Sequence, residues 1–264
     1  MNGTPVSTFA PRPGAAPLRR QVAAQARMEA RLMLRNGEQL LLAIVIPVIV
    51  LVGGVAGADR LGLDLDGHRA VDVLTPGVLA LAVMSTAFTS IAIATGFERR
   101  YGVIKRLGAS PLPRHGFLLG KVLALLNVVA LQLVVLVVVG LVLGWQPTMD
   151  RPVTTVGSAV LAVAAGTWAF ASLGLFVAGV LRAEATLALA NLVYLLLMTG
   201  GGVVLPTSSY GAASGVIQWL PSAALGDAMR AALVDARLDA TAILVLLVWG
   251  AVGTLLTART FTWE

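Results

Sequence analysis

Residues 122–149 read VLALLNVVALQLVVLVVVGLVLGWQPTM, 28 positions without an Asp, Glu, Lys or Arg. About 20 apolar residues in a helix cross the hydrocarbon core of a bilayer, so this stretch is long enough to span one. Lys121 and Asp150 close it at its two ends. Five more charge-free runs lie around it: Gln39–Ala58 (20 residues), Val73–Phe97 (25), Pro152–Leu181 (30), Ala185–Gly226 (42) and Ala240–Ala258 (19). The longest is broken halfway by Pro206, the Thr207-Ser208-Ser209 cluster, Gly211, Gly215 and Pro221. It predicts one span at 186–204 and then a shorter apolar piece, 211–232, that enters the membrane surface without crossing. The expectation is an all-α integral membrane protein: six transmembrane helices, an N-terminal amphipathic interfacial helix, and re-entrant helices before the last span.

The charges agree with that count. Six spans put both termini on one side, together with 98–121 and 182–184. That side holds 14 of the 19 basic residues and all five Glu, a net +9. The other side holds five Arg and all eight Asp, a net −3. The Lys/Arg bias makes the first side cytoplasmic. A seven-span count would move Arg259 outside and invert the 206–240 loop.

Composition excludes other classes. The chain is 58% hydrophobic and 12% charged, against about 25% charged for a soluble domain, so neither a soluble enzyme fold nor a disordered chain fits. There is no cysteine, hence no disulfide, thiolate metal site or cysteine nucleophile. The net charge of +6 suits anionic lipid headgroups rather than nucleic acid. Arginine outnumbers lysine 17 to 2, the usage of a GC-rich bacterium and hence of a multi-pass protein of its plasma membrane.

Residues 1–17, with four prolines, read as a flexible tail. Residues 18–37 read as a cytoplasmic interfacial helix, and 38–264 as the six-span domain. On the helix, Leu18, Val22, Ala26, Leu32 and Met33 fall on one side, and Arg20, Arg27, Arg31 and Arg35 on the other. It is either a membrane-surface anchor or a docking piece. The segment Glu98-Arg99-Arg100-Tyr101-Gly102-Val103-Ile104-Lys105-Arg106-Leu107 mixes charges with apolar positions and is stopped by Gly108 and Ser110-Pro111-Leu112-Pro113. It reads as a short amphipathic helix carried by two spans, or as a solvated loop. The 59–72 loop, with Asp59, Asp64, Asp66 and Asp72, lacks the calcium-loop spacing and reads as solvated.

Within the spans, Thr86, Thr89 and Ser90 share one face at helical spacing, and Asn191 and Tyr194 another. Asn127, Gln132, Thr167 and Ser172 are further polar positions. Such groups line a translocation path or join helices. Gly53-x-x-x-Gly57 and Gly140-x-x-x-Gly144 permit close helix contact. Gly116-Phe117-Leu118-Leu119-Gly120-Lys121 is not a phosphate loop: three residues, not four, separate the glycines, and Val122 follows the lysine. There is no zinc-helix motif and no nucleophile elbow. The catalytic and metal sets are therefore empty, and no membrane-embedded charge is available to carry protons.

Three segments in this order resemble the type-2 ATP-binding-cassette (ABC) export permeases, similar to the daunorubicin-resistance permeases of actinobacteria. They are Glu98–Leu107 with Ser110–Arg114 and Gly120-Lys121, then Leu220-Pro221 through Leu225-Gly226-Asp227-Ala228-Met229-Arg230, and finally Arg259-Thr260-Phe261-Thr262-Trp263-Glu264. In the last, Thr262 replaces the common arginine. The resemblance implies two permeases, identical or homologous, above two ABC ATPase subunits that hold the ATP and Mg, with no cofactor bound by this chain. It implies an ATPase-docking coupling helix of Glu98, Arg99, Arg100, Tyr101, Gly102, Val103, Lys105 and Arg106, with Arg27, Arg31 and Arg35 of the interfacial helix against the same subunit. The expected cargo is a lipophilic or amphiphilic drug or lipid. A non-transporting membrane scaffold or sensor and a self-powered secondary carrier are the alternatives.

Overall fold

A computed structural model of the chain describes residues 14, 16–61, 67–110 and 112–260. Among these residues every regular element is helical. They are α1 (Leu18–Arg35), α2 (Gly37–Leu61), α3 (Ala70–Arg100), α4 (Val103–Gly108), α5 (Arg114–Val142), α6 (Pro152–Val180), α7 (Ala183–Gly200), α8 (Pro221–Leu233) and α9 (Ala240–Thr260). A 3-10 segment, Thr207–Ala213, and one helical turn, Ser214–Ile217, lie between α7 and α8. Helices α3, α5, α6, α7 and α9 are long and apolar enough to cross a membrane, and α2 carries a shorter apolar stretch, Ala43–Ala58. The protein is an integral membrane helical bundle. The 13 residues of α8 reach about 20 Å, short of the roughly 30 Å hydrocarbon core. The non-crossing piece before the last span is thus present. The expected tail at 1–17 lies almost wholly outside the described residues, as do Asp64, Asp66, Pro111 and the ending Phe261–Glu264.

α3 is the hub. It packs against α2, α5, α6, α7 and α8, and every residue of Ala70–Met84 except Asp72 is buried. α6 carries α9 along much of its length and α8 beside it. Close approach is set by glycines, though not chiefly the pairs expected. Gly53 and Gly57 have nothing within 4 Å of a built Cβ. At Gly140 a Cβ would come 2.8 Å from Thr75, and at Gly250 2.8 Å from the Trp168 ring. Gly116 and Gly120, one turn apart on α5, are where α1 crosses: their Cβ atoms would meet Leu18 at 3.2 Å and Gln25 at 2.7 Å. The spacing that fails as a phosphate loop is a helix-crossing site.

Two departures from regular helix position polar groups. Pro47 lies inside α2, and a proline there cannot donate to the carbonyl four residues back. That carbonyl, Ala43 O, accepts from Gln132 Nε2 of α5 instead. Within α3, Ser85–Ser90 is a π-helix, a local unwinding seen often at functional positions.

Candidate functional site

The interfacial helix is buried along Val22, Gln25 and Glu29, with Met33 partly buried. Leu18 and Leu32, expected on the apolar side, are 44% and 59% exposed. The side facing α5 meets Lys121, whose side chain is 4% exposed. Lys121 Nζ stands 3.1 Å from Glu29 Oε1 and 2.7 Å from both carboxylate oxygens of Glu98. Gln25 Nε2 donates to Glu29 Oε1 at 2.9 Å, and the Phe117 ring lies 5.2 Å from the ammonium. Three elements are thereby tied at one buried cation: α1, the last turn of α3 and the start of α5. In the sequence Lys121 counts as a topology charge and as part of the Gly120-Lys121 pair, and its two partners are 92 and 23 positions away.

The 98–107 segment is two pieces, not one helix. Glu98, Arg99 and Arg100 complete α3, and Gly102 then turns the chain with φ +68° into α4. That left-handed conformation costs a residue bearing a Cβ about 1–2 kcal/mol. Ile104 of α4 is 1% exposed and packs with Val22, Leu112 and Phe117, with Leu107 beside them. Tyr101 and Val103 are 65% and 37% exposed, and Lys105, Arg106, Arg27, Arg31 and Arg35 are exposed as well. The expected docking residues of α1 and α4 thus form a solvent-facing layer on a small apolar seat. Arg99 and Arg100 are turned the other way. Arg99 Nη1 donates to Ala178 O and Gly179 O of α6, and Arg100 pairs with Glu184 of α7.

The polar residues expected along a path do not share a face. Over Ser85–Ser90 the π-helix has more residues per turn than an α-helix, so helical spacing no longer sets direction. Thr86 is buried and donates to Gln132 Oε1 at 2.6 Å, a join between α3, α5 and α2. Ser90 lines a small cavity with Lys121 and Glu29. Thr89 is half-buried and Asn191 exposed, while Tyr194 is buried in the core. Asn127 bonds Leu123 O of its own helix. Ser172 and Thr257 join α6 to α9.

A second buried cation was missed. Arg230, counted among the outer charges, is 8% exposed. Its Nη1 donates to Val203 O and Val204 O at 3.1 and 3.3 Å; its Nη2 donates to Gly202 O, Leu205 O and Asp227 Oδ1 at 2.9, 3.3 and 2.8 Å. The non-helical stretch 201–205 is squeezed between Gly77 and Gly226, where Cβ atoms would come within 2.5–2.8 Å of the Val203 or Val204 oxygens. Buried backbone without helix must find donors elsewhere, and Arg230 supplies them. A run of unpaired carbonyls after Gly200, with one arginine on the following helix, was the available signal.

The described residues hold both apolar and charge-lined cavities and, at these two places, buried cations paired with carboxylates. A comparison with curated proteins finds no match. The ABC-2 type transporter family matches residues 20–234, covering α1, the α3–α5 connection and α8 with Arg230, and the chain belongs to that family.

Proposed function

We propose that this chain is the permease subunit of an ATP-driven exporter of the daunorubicin-resistance kind, moving a lipophilic or amphiphilic compound out across a bacterial plasma membrane. Both termini face the cytoplasm, and two such permeases, identical or homologous, sit on two ABC ATPase subunits that hold the ATP and Mg. The observation that carries this reading is the Lys121 cluster, which makes α1, α3 and α5 one mechanical unit beneath the exposed layer of α1 and α4. Closure of an ATPase dimer against Tyr101, Val103, Lys105, Arg106, Arg27, Arg31 and Arg35 would reach α3 through Glu98, and α3 touches five other helices. The cargo class is supported by a cavity of about 490 Å³ between α5 and α6, lined by Leu79, Leu126, Leu133, Trp145, Val163 and Met229, which suits an apolar molecule.

The test is transport in inverted vesicles containing the chain and its co-purifying ATPase. ATP should drive a lipophilic dye inward, and a hydrolysis-dead ATPase should abolish it. Uptake by the chain alone on an ion gradient would overturn the proposal in favour of a secondary carrier.

A further inference from the structure

On the face of α3 opposite Lys121, a cavity of about 420 Å³ opens where α3 ends and α6 turns into α7. Gly96, Arg99, Arg100, Arg182 and Glu184 line it, with Val180, Leu181 and Ala183 of the turn between α6 and α7. Three arginines and one glutamate in the lining give a local charge of +2. Arg99 is held in place by its bonds to the end of α6, and Arg100 by Glu184. Among the described residues Arg182 has no ion-pair or hydrogen-bond partner for its guanidinium, while its carbonyl accepts from the Thr186 N–H. It is also the residue before α7 and gives that helix no side-chain cap, so the first N–H groups of an 18-residue helix add positive potential at the same spot. The polar cavity has an apolar rim: Val180 is 54% exposed and Leu187, one turn into α7, 39% exposed.

We infer that this cavity binds the headgroup phosphate of an anionic phospholipid, its acyl chains lying along Val180 and the outer face of α7. A basic pocket between helices at a membrane surface recognises such a headgroup, and the apolar rim favours a lipid over a free anion. Arg100 of the pocket also lies 6.0 Å from the Tyr101 ring, so the pocket adjoins the proposed ATPase seat, and the test must tell lipid from protein there. The inference goes beyond the transport reading and does not depend on it.

The test reconstitutes the purified full chain in vesicles of phosphatidylcholine with a minor share of phosphatidylglycerol, re-extracts it mildly and measures retained lipid by mass spectrometry. Wild type should be enriched in phosphatidylglycerol. Arg182→Gln should lower the enrichment about fivefold, the weight of one arginine near a membrane surface, and Glu184→Gln should raise it. Opposite signs from positions two apart would not arise from loss of structure. Equal enrichment in wild type and Arg182→Gln overturns the site. Full displacement of the lipid by inorganic phosphate overturns the lipid assignment. Loss of the ATPase from Arg182→Gln with lipid retention unchanged assigns the arginines to protein docking and overturns it too.

Discussion

Lys121 Nζ lies 2.7 Å from the Glu98 carboxylate, under a helix that supplies a second acid, Glu29, to the same cation. One positive charge therefore holds two negative ones away from water, and removing different members has different consequences. Lys121→Met leaves two buried carboxylates at one site, and losing the shared partner of a buried pair costs about 3–5 kcal/mol. Glu98→Ala leaves Lys121 still paired with Glu29. In thermal unfolding of the detergent-solubilised chain, Lys121→Met should fall well below Glu98→Ala. Equal midpoints would mean the cluster is not buried as a unit.

Glu98→Ala should act on coupling rather than assembly. The substitution cuts the α3 arm of the cluster while α1 and α5 stay joined. Substrate-stimulated ATPase activity of the complex should drop several-fold with basal hydrolysis and membrane insertion retained. Stimulation equal to wild type would remove Glu98 from the force path.

Gly102→Pro tests the seat of α4. Proline fixes φ near −65°, whereas Gly102 adopts +68°, and its N–H donates to Arg99 O at 3.0 Å. Ile104 should leave its apolar seat, and stimulation should fall while the spans insert. Gly102→Ala, which keeps the N–H, should be milder, about 1–2 kcal/mol of local cost. A neutral Gly102→Pro would show that α4 does not transmit motion.

The spans were legible because hydrocarbon excludes charge: charge-free run Ala240–Ala258 became Ala240–Thr260, and the predicted 186–204 span became Ala183–Gly200. What was not legible depends on partners distant in sequence. Gln25 and Glu29 share the buried face of α1 with Val22, but nothing in the sequence names Lys121 as the partner that lets polar groups lie there. Thr86, Thr89 and Ser90 share a face only if the helix stays α, and a π-turn leaves no residue signature. Arg230 reads as an ordinary loop charge unless the carbonyls of 202–205 are counted with it. Hydropathy reports where water is absent; it does not report which buried donor meets which acceptor.

Arg230 makes a separate prediction. Arg230→Met takes the guanidinium donors from the carbonyls of 202–205 and leaves Asp227 with only its Thr207 bonds, which should cost on the order of 3 kcal/mol. Arg230→Lys should rescue only partly, because an ammonium has three donors and cannot span four carbonyls and a carboxylate. The order of thermal midpoints should be wild type, then Lys, then Met. A Met variant as stable as wild type would make the arginine dispensable to the fold.

Gly120 offers a test of the α1 crossing independent of charge. A side chain there collides with Gln25, whose Cγ would lie 2.7 Å from a Cβ. Gly120→Leu should lift α1 from α5 and expose its backbone to local opening. Trypsin should then cut at Arg27 and Arg31 faster than in wild type. An unchanged cutting rate would mean that α1 is held elsewhere.

The orientation follows from charge alone and is open to direct measurement, because the chain contains no cysteine. Single cysteines at Lys105, on the exposed side of α4, and at Ser208, beside Asp227, report opposite faces under the six-span count. An impermeant maleimide added to intact cells should label Ser208→Cys at once and Lys105→Cys only after permeabilisation. The 14-to-5 division of basic residues makes this the favoured orientation, and the proposed ATPase seat requires it. Labelling of Lys105→Cys from outside would put α1 and α4 beyond reach of any cytoplasmic ATPase and end the exporter reading, while leaving the helical bundle and both buried cations as they stand.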